Sequence, residues 1–306
     1  MLPLSRGRAI GWAEGLGIPR GGRTVLYTGL MYQLMPSMIA LAKLLSRFEH
    51  SPLNRLFGVG RYVNRALNVS RFTPLLVNRE DQEKFDGILR DIVFLLRAAD
   101  VEFGYLYEEE LYAGALAHDE GMCSAFQRHA LKVHELLQRH GVRQVITVDP
   151  HTTNLLRSVY PKITGDGRLE VTSYLEILAN KAMRPQRAVE QSAVIHDSCV
   201  YARHEGVVEE PRRLLRVAGI EANEPEYSGR ATFCCGGPIE SLFPGKARSI
   251  AETRMEQLAS VGERVVTMCP ICMVNLQEAA AAKGVSVEDI SGWLAEAHFD
   301  RGQVTG

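Results

Sequence analysis

The sequence contains two copies of one pattern, and this duplication limits the possible folds more than any other feature. Residues 145–152 (VITVDPHT) align with residues 265–272 (VVTMCPIC) at an offset of 120. In each copy a β-type run leads into a proline that is well placed to open a helix. Further upstream, residues 25–30 (VLYTGL) align with residues 194–199 (VIHDSC). The chain is therefore expected to fold as two copies of one unit.

Short β-type runs alternate with helical stretches along both copies. Apolar runs at 24–28 and 144–148 predict buried strands, and the apolar spacing at 81–98 predicts an amphipathic helix. This alternation favours an α/β fold in which each copy is a mainly parallel sheet flanked by helices. We place the first domain at 1–165, with a basic insertion at about 50–79, and the second domain at 166–306.

Length, composition and charge exclude several protein classes. With 306 residues and 46% hydrophobic residues the chain can bury a core, and it has no apolar stretch long enough to span a membrane. The start does not resemble a signal peptide, so the six cysteines are expected to lie in a reducing compartment, the cytoplasm. A net charge of -1 argues against nucleic-acid binding. Residues 1–79 nevertheless hold eleven bases and two acids, which indicates either a solvated arginine-rich face or a docking surface for an anionic partner.

Five of the cysteines form a pattern in the second copy. Cys199 comes first, Cys234 and Cys235 precede two glycines, and Cys269 and Cys272 flank a Pro-Ile pair. Cys199 and Cys269 each follow a predicted strand, and the carboxyl ends of parallel strands lie at one edge of a sheet. We therefore expect three separate segments to bring five thiols together. Thiolates at the start of a helix are favoured as metal ligands.

The residue types leave three chemistries open. An iron–sulfur cluster can use five thiolates. A structural zinc ion takes four ligands, usually from two short CxxC-type pairs, and only one such pair is present. Thiol or disulfide chemistry without metal, including a bond between Cys234 and Cys235, is the third possibility.

Four segments of the second copy resemble one known family. These are HDSC at 196–199, EEPRRLL at 209–215, FCCGG at 233–237 and TMCPICMVNL at 267–276, and they resemble the CCG domain, the cysteine-rich domain of the B-type heterodisulfide reductase subunits. The resemblance implies two tandem, pseudo-symmetric, Rossmann-like domains. It also implies one non-cubane 4Fe–4S cluster with five ligands. The implied ligands are Cys199, Cys234, Cys235, Cys269 and Cys272.

The first copy departs from this pattern at every ligand position. The corresponding residues are Leu30, Tyr112, Ala113, Asp149 and Thr152. Because none of them is a thiol, this half is expected to hold no iron–sulfur cluster. A disulfide cleaved between two clusters requires both, so the chain is not expected to be a complete heterodisulfide reductase catalytic subunit.

The resemblance implies a redox subunit of a heterodisulfide reductase-like complex, which transfers electrons to or from a disulfide or carrier-bound sulfur substrate. The implied partners are a ferredoxin-like iron–sulfur subunit, a flavoprotein subunit and a paralogous B-type subunit. Two alternatives stay open. One is an assembly or scaffold subunit with a structural cluster, and the other is an iron–sulfur subunit of a hydroxy-acid (glycolate or lactate) or fumarate redox complex. The catalytic residues are not identified.

Weaker features each have a plain structural interpretation. Cys123 is expected to be a small, buried or inert cysteine, and the acidic run 108–110 a solvated face. Asp149 and His151 could bind an ion, but the Asp-Pro-His sequence is more typical of a capped helix start. For His196 and Asp197 two interpretations stay open, namely a hydrogen bond to a cluster sulfur and an ordinary turn at the end of a strand.

Overall fold

The computed structural model describes residues 4–49, 77–181, 185–186 and 189–298. Most of the predicted basic insertion, residues 50–76, lies outside the described residues. The strands are β1 Thr24–Tyr27, β2 Gly104–Tyr105, β3 Gln144–Thr147, β4 Glu170–Ser173, β5 Gln191–His196, β6 Ile220–Asn223, β7 Arg264–Thr267 and β8 Ser286–Asp289. The helices are α1 Arg6–Ile10, α2 Met31–Glu49, α3 Arg79–Ala98, α4 Ala115–Asp119, α5 Cys123–Arg139, α6 Pro150–Asn154, α7 Tyr160–Thr164, α8 Tyr174–Asn180, α9 Glu209–Val217, α10 Pro244–Ala259, α11 Pro270–Ala281 and α12 Ile290–His298.

The strands form two four-stranded sheets of the same topology. The first sheet has the order β2-β1-β3-β4, the second has the order β6-β5-β7-β8, and every neighbouring pair is parallel. Each central pair contains aligned valines, with Val25 opposite Val145 and Val194 opposite Val265. The α/β prediction and the tandem arrangement are confirmed. β4 belongs to the first sheet and β5 to the second, so the two sheets are separated along the chain between Ser173 and Gln191.

The two faces of the first sheet have different surroundings. Leu26 and Ile146 point into a buried apolar cluster that continues into the second half and includes Ile195 and Met273. Val25 belongs to a separate cluster under the outer helices. Buried strands of a parallel sheet are expected to carry apolar side chains on both faces. The two halves thus share one core and are not separate globules.

Two tyrosines connect the halves in a reciprocal manner. Tyr32, just after β1, donates a hydrogen bond of 2.7 Å to Asp289 at the end of β8. Tyr201, at the equivalent place after β5, lies 3.0 Å from the hydroxyl of Ser173 at the end of β4. Each half therefore contacts the outer strand of the other half. Helix α3 packs on α12 in the same reciprocal way as α9 packs on α8, as expected for a pseudo-twofold axis.

Among the helices that the structure describes, none combines the length and apolar character needed to cross a membrane.

Candidate metal centre

The three cysteine segments arrive from separate elements at the carboxyl edge of the second sheet. Cys199 lies three residues after the last residue of β5, and Cys269 lies between β7 and α11. Cys269 is the N-cap of α11, and Pro270 occupies the first turn of that helix. This is the arrangement that the sequence predicted for the CPxC pair. Unpaired backbone N–H groups at this position favour a thiolate.

The five sulfur atoms form one continuous series of contacts. Cys199 contacts Cys234, which contacts Cys235, and Cys235 in turn contacts Cys272. Cys272 also contacts Cys269. Cys235, Cys269 and Cys272 are buried, whereas Cys199 and Cys234 are partly exposed, and all five are free thiols. The centre is therefore accessible on its Cys199–Cys234 side.

Hydrogen bonding divides the thiols into two classes. Burial disfavours the thiolate of Cys269, but hydrogen bonds from Cys272 and His151 hold its pKa well below the ordinary value. The pKa of Cys234 is also lowered, because Cys199, Cys235 and the N–H of Gly236 donate to its sulfur. The pKa values of Cys199, Cys235 and Cys272 are raised by these same neighbours and by burial. Thiols packed so closely lose their protons as a coupled group, and binding a cation offsets the mutual repulsion of their thiolates.

Two glycines let the backbone pass between the thiol segments. Gly236 has φ +87°, and a β-carbon there would lie 2.5 Å from the carbonyl oxygen of Ala247. A β-carbon on Gly237 would lie 2.3 Å from Ile271 Cγ2 and 3.5 Å from the sulfur of Cys235. Only glycine fits such close approaches, so the CCGG sequence holds Cys235 directly against the CPxC helix.

Asp197 fixes the strand end before Cys199 to the loop before Cys234. Its carboxylate receives hydrogen bonds of 2.8 Å from each terminal nitrogen of Arg212 and one of 2.6 Å from Gly229 N. The hydroxyl of Thr232 donates to the Asp197 carbonyl oxygen at 3.1 Å. Paired, bidentate hydrogen bonds of this kind define position as well as charge. Asp197 thus acts on the centre through the backbone.

His196 lies directly beside the thiols. One ring nitrogen of His196 and the sulfurs of Cys235 and Cys272 lie within 4.8 Å of one another. Nδ1 accepts a hydrogen bond of 3.1 Å from Arg254 Nε, and Nε2 has no partner among the described residues. Burial and the nearby Arg254 cation lower the pKa of His196 to about 3, so the ring is neutral. For His196 the structure favours a role at the centre, whereas Asp197 forms the structural contact.

The first half also contributes a residue to the centre. The His151 ring contacts the Cys269 thiol, and its Nδ1 lies 3.4 Å from the Asp119 carboxylate. Burial alone would lower the pKa of His151, but Asp119 and Cys269 raise it to about 10. Asp149 caps α6 by accepting a hydrogen bond of 2.9 Å from Thr152 N, as the capped-helix interpretation predicted.

The equivalent positions of the first half are packed closed. A β-carbon on Gly29 would lie 2.1 Å from the hydroxyl oxygen of Thr152 and 3.1 Å from the β-carbon of Ala113. Leu30, Ala113, Asp149 and Thr152 are all buried. Buried side chains that are not thiols thus occupy these four positions.

Two of the weaker sequence interpretations were wrong in part. Cys123 is exposed and not buried, because it starts α5 at the surface. In the acidic run, Glu108 and Glu109 are exposed, but Glu110 is 5% exposed and accepts hydrogen bonds from Thr28 and Tyr105. The pattern of three acids gave no sign that the third one enters the core.

The donor set of the second half fits an iron–sulfur cluster. Five thiols in mutual contact exceed the four ligands of a structural zinc site, and Cys234 and Cys235 are adjacent in sequence. Polar groups of His196 and Arg254 lie beside the thiols without partners among the described residues. Such groups commonly hydrogen-bond or balance the charge of cluster sulfurs.

Comparison with known proteins agrees with this site. Residues 193–277 match the family model described as the cysteine-rich domain CCG. The second half carries a CCG cysteine-rich domain. The matched CCG domain begins within β5 and ends within α11, so it includes all five contacting cysteines.

Three curated relatives contain related sequence. EtfAB:quinone oxidoreductase of Syntrophomonas wolfei is 30% identical over 233 residues, which cover 70% of this chain and 32% of that protein. The D-type polypeptide of the dihydromethanophenazine:CoB–CoM heterodisulfide reductase of Methanosarcina barkeri is 24% identical over 66% of this chain and 53% of that polypeptide. The B-type polypeptide of the CoM/CoB fumarate reductase of Methanothermobacter marburgensis is 29% identical over 55% of this chain and 36% of that polypeptide. This chain thus spans about a third to a half of the relatives. The CCG domain, its cysteine cluster and these relatives together support an iron–sulfur cofactor.

Proposed function

We propose that this chain is the iron–sulfur redox subunit of a multi-subunit oxidoreductase and acts in the cytoplasm. Its CCG domain would hold one non-cubane 4Fe–4S cluster, and its first half would hold none. The proposed ligands are Cys199, Cys234, Cys235, Cys269 and Cys272. The observation that carries the proposal is the continuous series of contacts among these five thiols, which come from three separate segments.

The substrate side of the centre would be the side where Cys199 and Cys234 reach the surface. These are the two partly exposed thiols of the set. Phe233 and Tyr227 lie close by, with ring centroids 6.5 Å apart, and Tyr227 is exposed. A small apolar surface next to an accessible thiol suits a thiol or disulfide substrate or the carrier that presents it.

The proposed reaction is the reduction of a disulfide or carrier-bound sulfur, or its reverse. Reducing a disulfide consumes two electrons and two protons and gives two thiols. A bound cluster supplies the electron-carrying step between the substrate and a partner subunit. The electrons would come from a flavoprotein and a ferredoxin-like subunit, and a paralogous B-type subunit is a further proposed partner. The relatives named for quinone, heterodisulfide and fumarate reactions support a redox role of this kind.

The residues of the chain have distinct roles in this proposal. The helix start at Cys269 favours thiolate and so favours cluster binding. Asp197 and Arg212 hold the first two cysteine segments in position. His151 brings a ring N–H from the first half to Cys269. The half without ligand cysteines would thus complete the site by covering Cys269.

Anaerobic purification tests the cofactor. We expect a coloured protein with stoichiometric iron and acid-labile sulfide and an EPR signal in one oxidation state. Cys235→Ala should lose most of the iron, because Cys235 contacts both Cys234 and Cys272. Cys123→Ser, a change to the cysteine outside the set, is the matched control and should retain it. A colourless, iron-free wild-type protein would falsify the proposal.

The assembled complex separates electron transfer from scaffolding. If the cluster carries electrons, Cys235→Ala should abolish turnover while the complex still assembles. Unchanged turnover, or loss of assembly alone, would instead identify a scaffold subunit with a structural cluster. Testing disulfide, fumarate and hydroxy-acid substrates side by side then assigns the substrate class.

A further inference from the structure

A fully buried arginine lies next to the candidate centre. Arg254, on α10, is 0% exposed. Its Nε donates to His196 Nδ1 at 3.1 Å, and its Nη1 donates to Gln257 Oε1 at 2.9 Å. Its Nη2 has no partner within the described part of the chain. Both partners of the guanidinium are neutral, so these hydrogen bonds do not balance its charge.

Nearby carboxylates do not balance this charge either. No described carboxylate lies within ion-pairing distance of Arg254. Asp197 interacts with it electrostatically, but both oxygens of Asp197 are bonded to Arg212. The other groups that interact electrostatically with Arg254 are the thiols Cys272 and Cys235, which become negatively charged when they bind a metal as thiolates. An arginine guanidinium keeps its proton at neutral pH, so Arg254 is a buried cation. A buried charge without a counter-charge is strongly destabilising.

The duplicated half serves as an internal comparison. Helices α5 and α10 bury matching residues at an offset of 121, such as Phe126 with Ala247 and Leu137 with Leu258. At this offset Arg254 corresponds to Val133, which lies in an apolar cluster. In the aligned strands His196 corresponds to Tyr27, because both pair with the last threonine of the neighbouring strand. The half with the five contacting cysteines therefore has a buried Arg–His pair, whereas the other half has Val133 and Tyr27 at these positions.

We propose that Arg254 and His196 form a charge-compensating pair for the thiolate-bound cluster. Arg254 supplies a fixed positive charge, and its N–H holds His196 in the tautomer that carries its proton on Nε2. Nε2, which has no partner among the described residues, is then a hydrogen-bond donor available to the centre. The inference rests on the proposed function, since it needs an anionic cluster at the five thiols.

This role has two measurable consequences. Reduction adds negative charge to the centre, so a nearby buried cation favours the reduced state and raises the midpoint potential. Without the cluster, the same cation is buried without compensation and destabilises the fold. Neutralising Arg254 should therefore have opposite effects on the stability of the loaded and the metal-free protein.

The test uses the full chain, reconstituted anaerobically, with Arg254→Met as the neutral variant. In an EPR-monitored redox titration of Arg254→Met, the ratio of reduced to oxidised cluster at a fixed applied potential should be at least tenfold lower than in wild type. This corresponds to a midpoint potential lowered by about 59 mV for one electron. Arg254→Lys should retain most of the potential, and His196→Gln should lower it by less than Arg254→Met does. Arg248→Met is the matched control, because Arg248 lies on the same helix in an exposed ion pair with Glu278, and it should leave the potential unchanged.

Thermal unfolding of both forms completes the test. We expect Arg254→Met to melt above wild type when metal-free and below it when loaded, with Arg254→Gln as a second neutral variant. The inference is overturned if potential and iron content match those of wild type, or if the metal-free protein loses as much stability as the loaded one. Failure of both neutral variants to fold without metal also contradicts it. A wild-type protein without iron refutes the proposed function, whereas a loaded wild type with an unchanged Arg254→Met potential refutes only this inference.

Discussion

The ion pair between Asp197 and Arg212 gives the sharpest test of how the cysteine loops are held. The Asp197 side chain is 1% exposed and that of Arg212 is 11% exposed. Three N–H groups donate to the Asp197 carboxylate, two from Arg212 and one from Gly229. Arg212→Met removes two of them and leaves a buried carboxylate with a single N–H donor.

The size of the effect follows from this geometry. Removing one partner of a buried ion pair destabilises a protein by about 3–5 kcal/mol. Arg212 also contacts Glu224, but that side chain is 41% exposed, and exposed pairs contribute only about 0–1 kcal/mol. We therefore expect a loss of about 4 kcal/mol, which lowers the melting temperature by about 10 °C.

The assay is thermal and chemical unfolding of the reconstituted protein under anaerobic conditions, with iron content measured in parallel. Iron content should fall with stability, because Asp197 connects the strand end before Cys199 to the loop before Cys234. Adding Asp197→Asn to Arg212→Met removes the remaining buried charge and should recover about 2 kcal/mol. Arg213→Met, at the next and exposed position of the same helix, is the control. A loss below about 1 kcal/mol for Arg212→Met, or no recovery in the double variant, would refute the reasoning.

Two further predictions concern stability. Burial raises the pKa of Glu110 from 4.5 to about 7, despite the hydrogen bonds that it accepts. The folded protein therefore favours protonated Glu110. The stability that this protonation contributes is fully present below pH 4.5, and about 3 kcal/mol of it is lost as the pH rises to 7. Glu110→Gln should remove this fall, and equal pH dependence of the two proteins in urea unfolding at pH 5 and pH 8 would contradict the assignment. Tyr32→Phe should destabilise the folded protein by about 2 kcal/mol, because it removes a hydrogen bond to the buried Asp289. Tyr201→Phe loses only hydrogen bonds to neutral partners and should destabilise it by about 1 kcal/mol. The reverse order in equilibrium unfolding would show that the two cross-half contacts are not as described.

The sequence predicted the parts of the fold that depend on local pattern. The apolar runs at β1, β3 and β7 are long enough to identify, and the strand–proline–helix order placed the CPxC pair correctly at the start of a helix. The short outer strands β4, β6 and β8 were missed, because polar residues such as Thr172, Glu221 and Glu288 leave no apolar run. Partner strands from distant parts of the chain decide whether such segments are strands.

The sequence indicated the cysteines of the site, and it indicated His196 only as one of two open interpretations. His151 and Asp119 reach the centre from the other half, and nothing in their local sequence shows this contact. Arg254 was missed as well, since a single arginine within a helix usually indicates the solvent side. The internal repeat did contain evidence that Arg254 is buried, because the aligned residue Val133 lies on the buried face of α5. Comparing the two halves residue by residue would have identified it.

The reciprocal tyrosine contacts have a consequence for how such a protein can evolve. If two identical chains met in this way, every substitution would appear in both sites at once, and losing one site would mean losing both. Joining the halves in a single gene removes that constraint. One half can then lose its ligand cysteines and instead contribute side chains such as His151 to the site of the other half. The outer strand of each half still forms its hydrogen bond with a tyrosine of the other half. An excised fragment of residues 193–277 would lack Ser173 and Asp289, so we expect it to be a poor substitute for the whole chain.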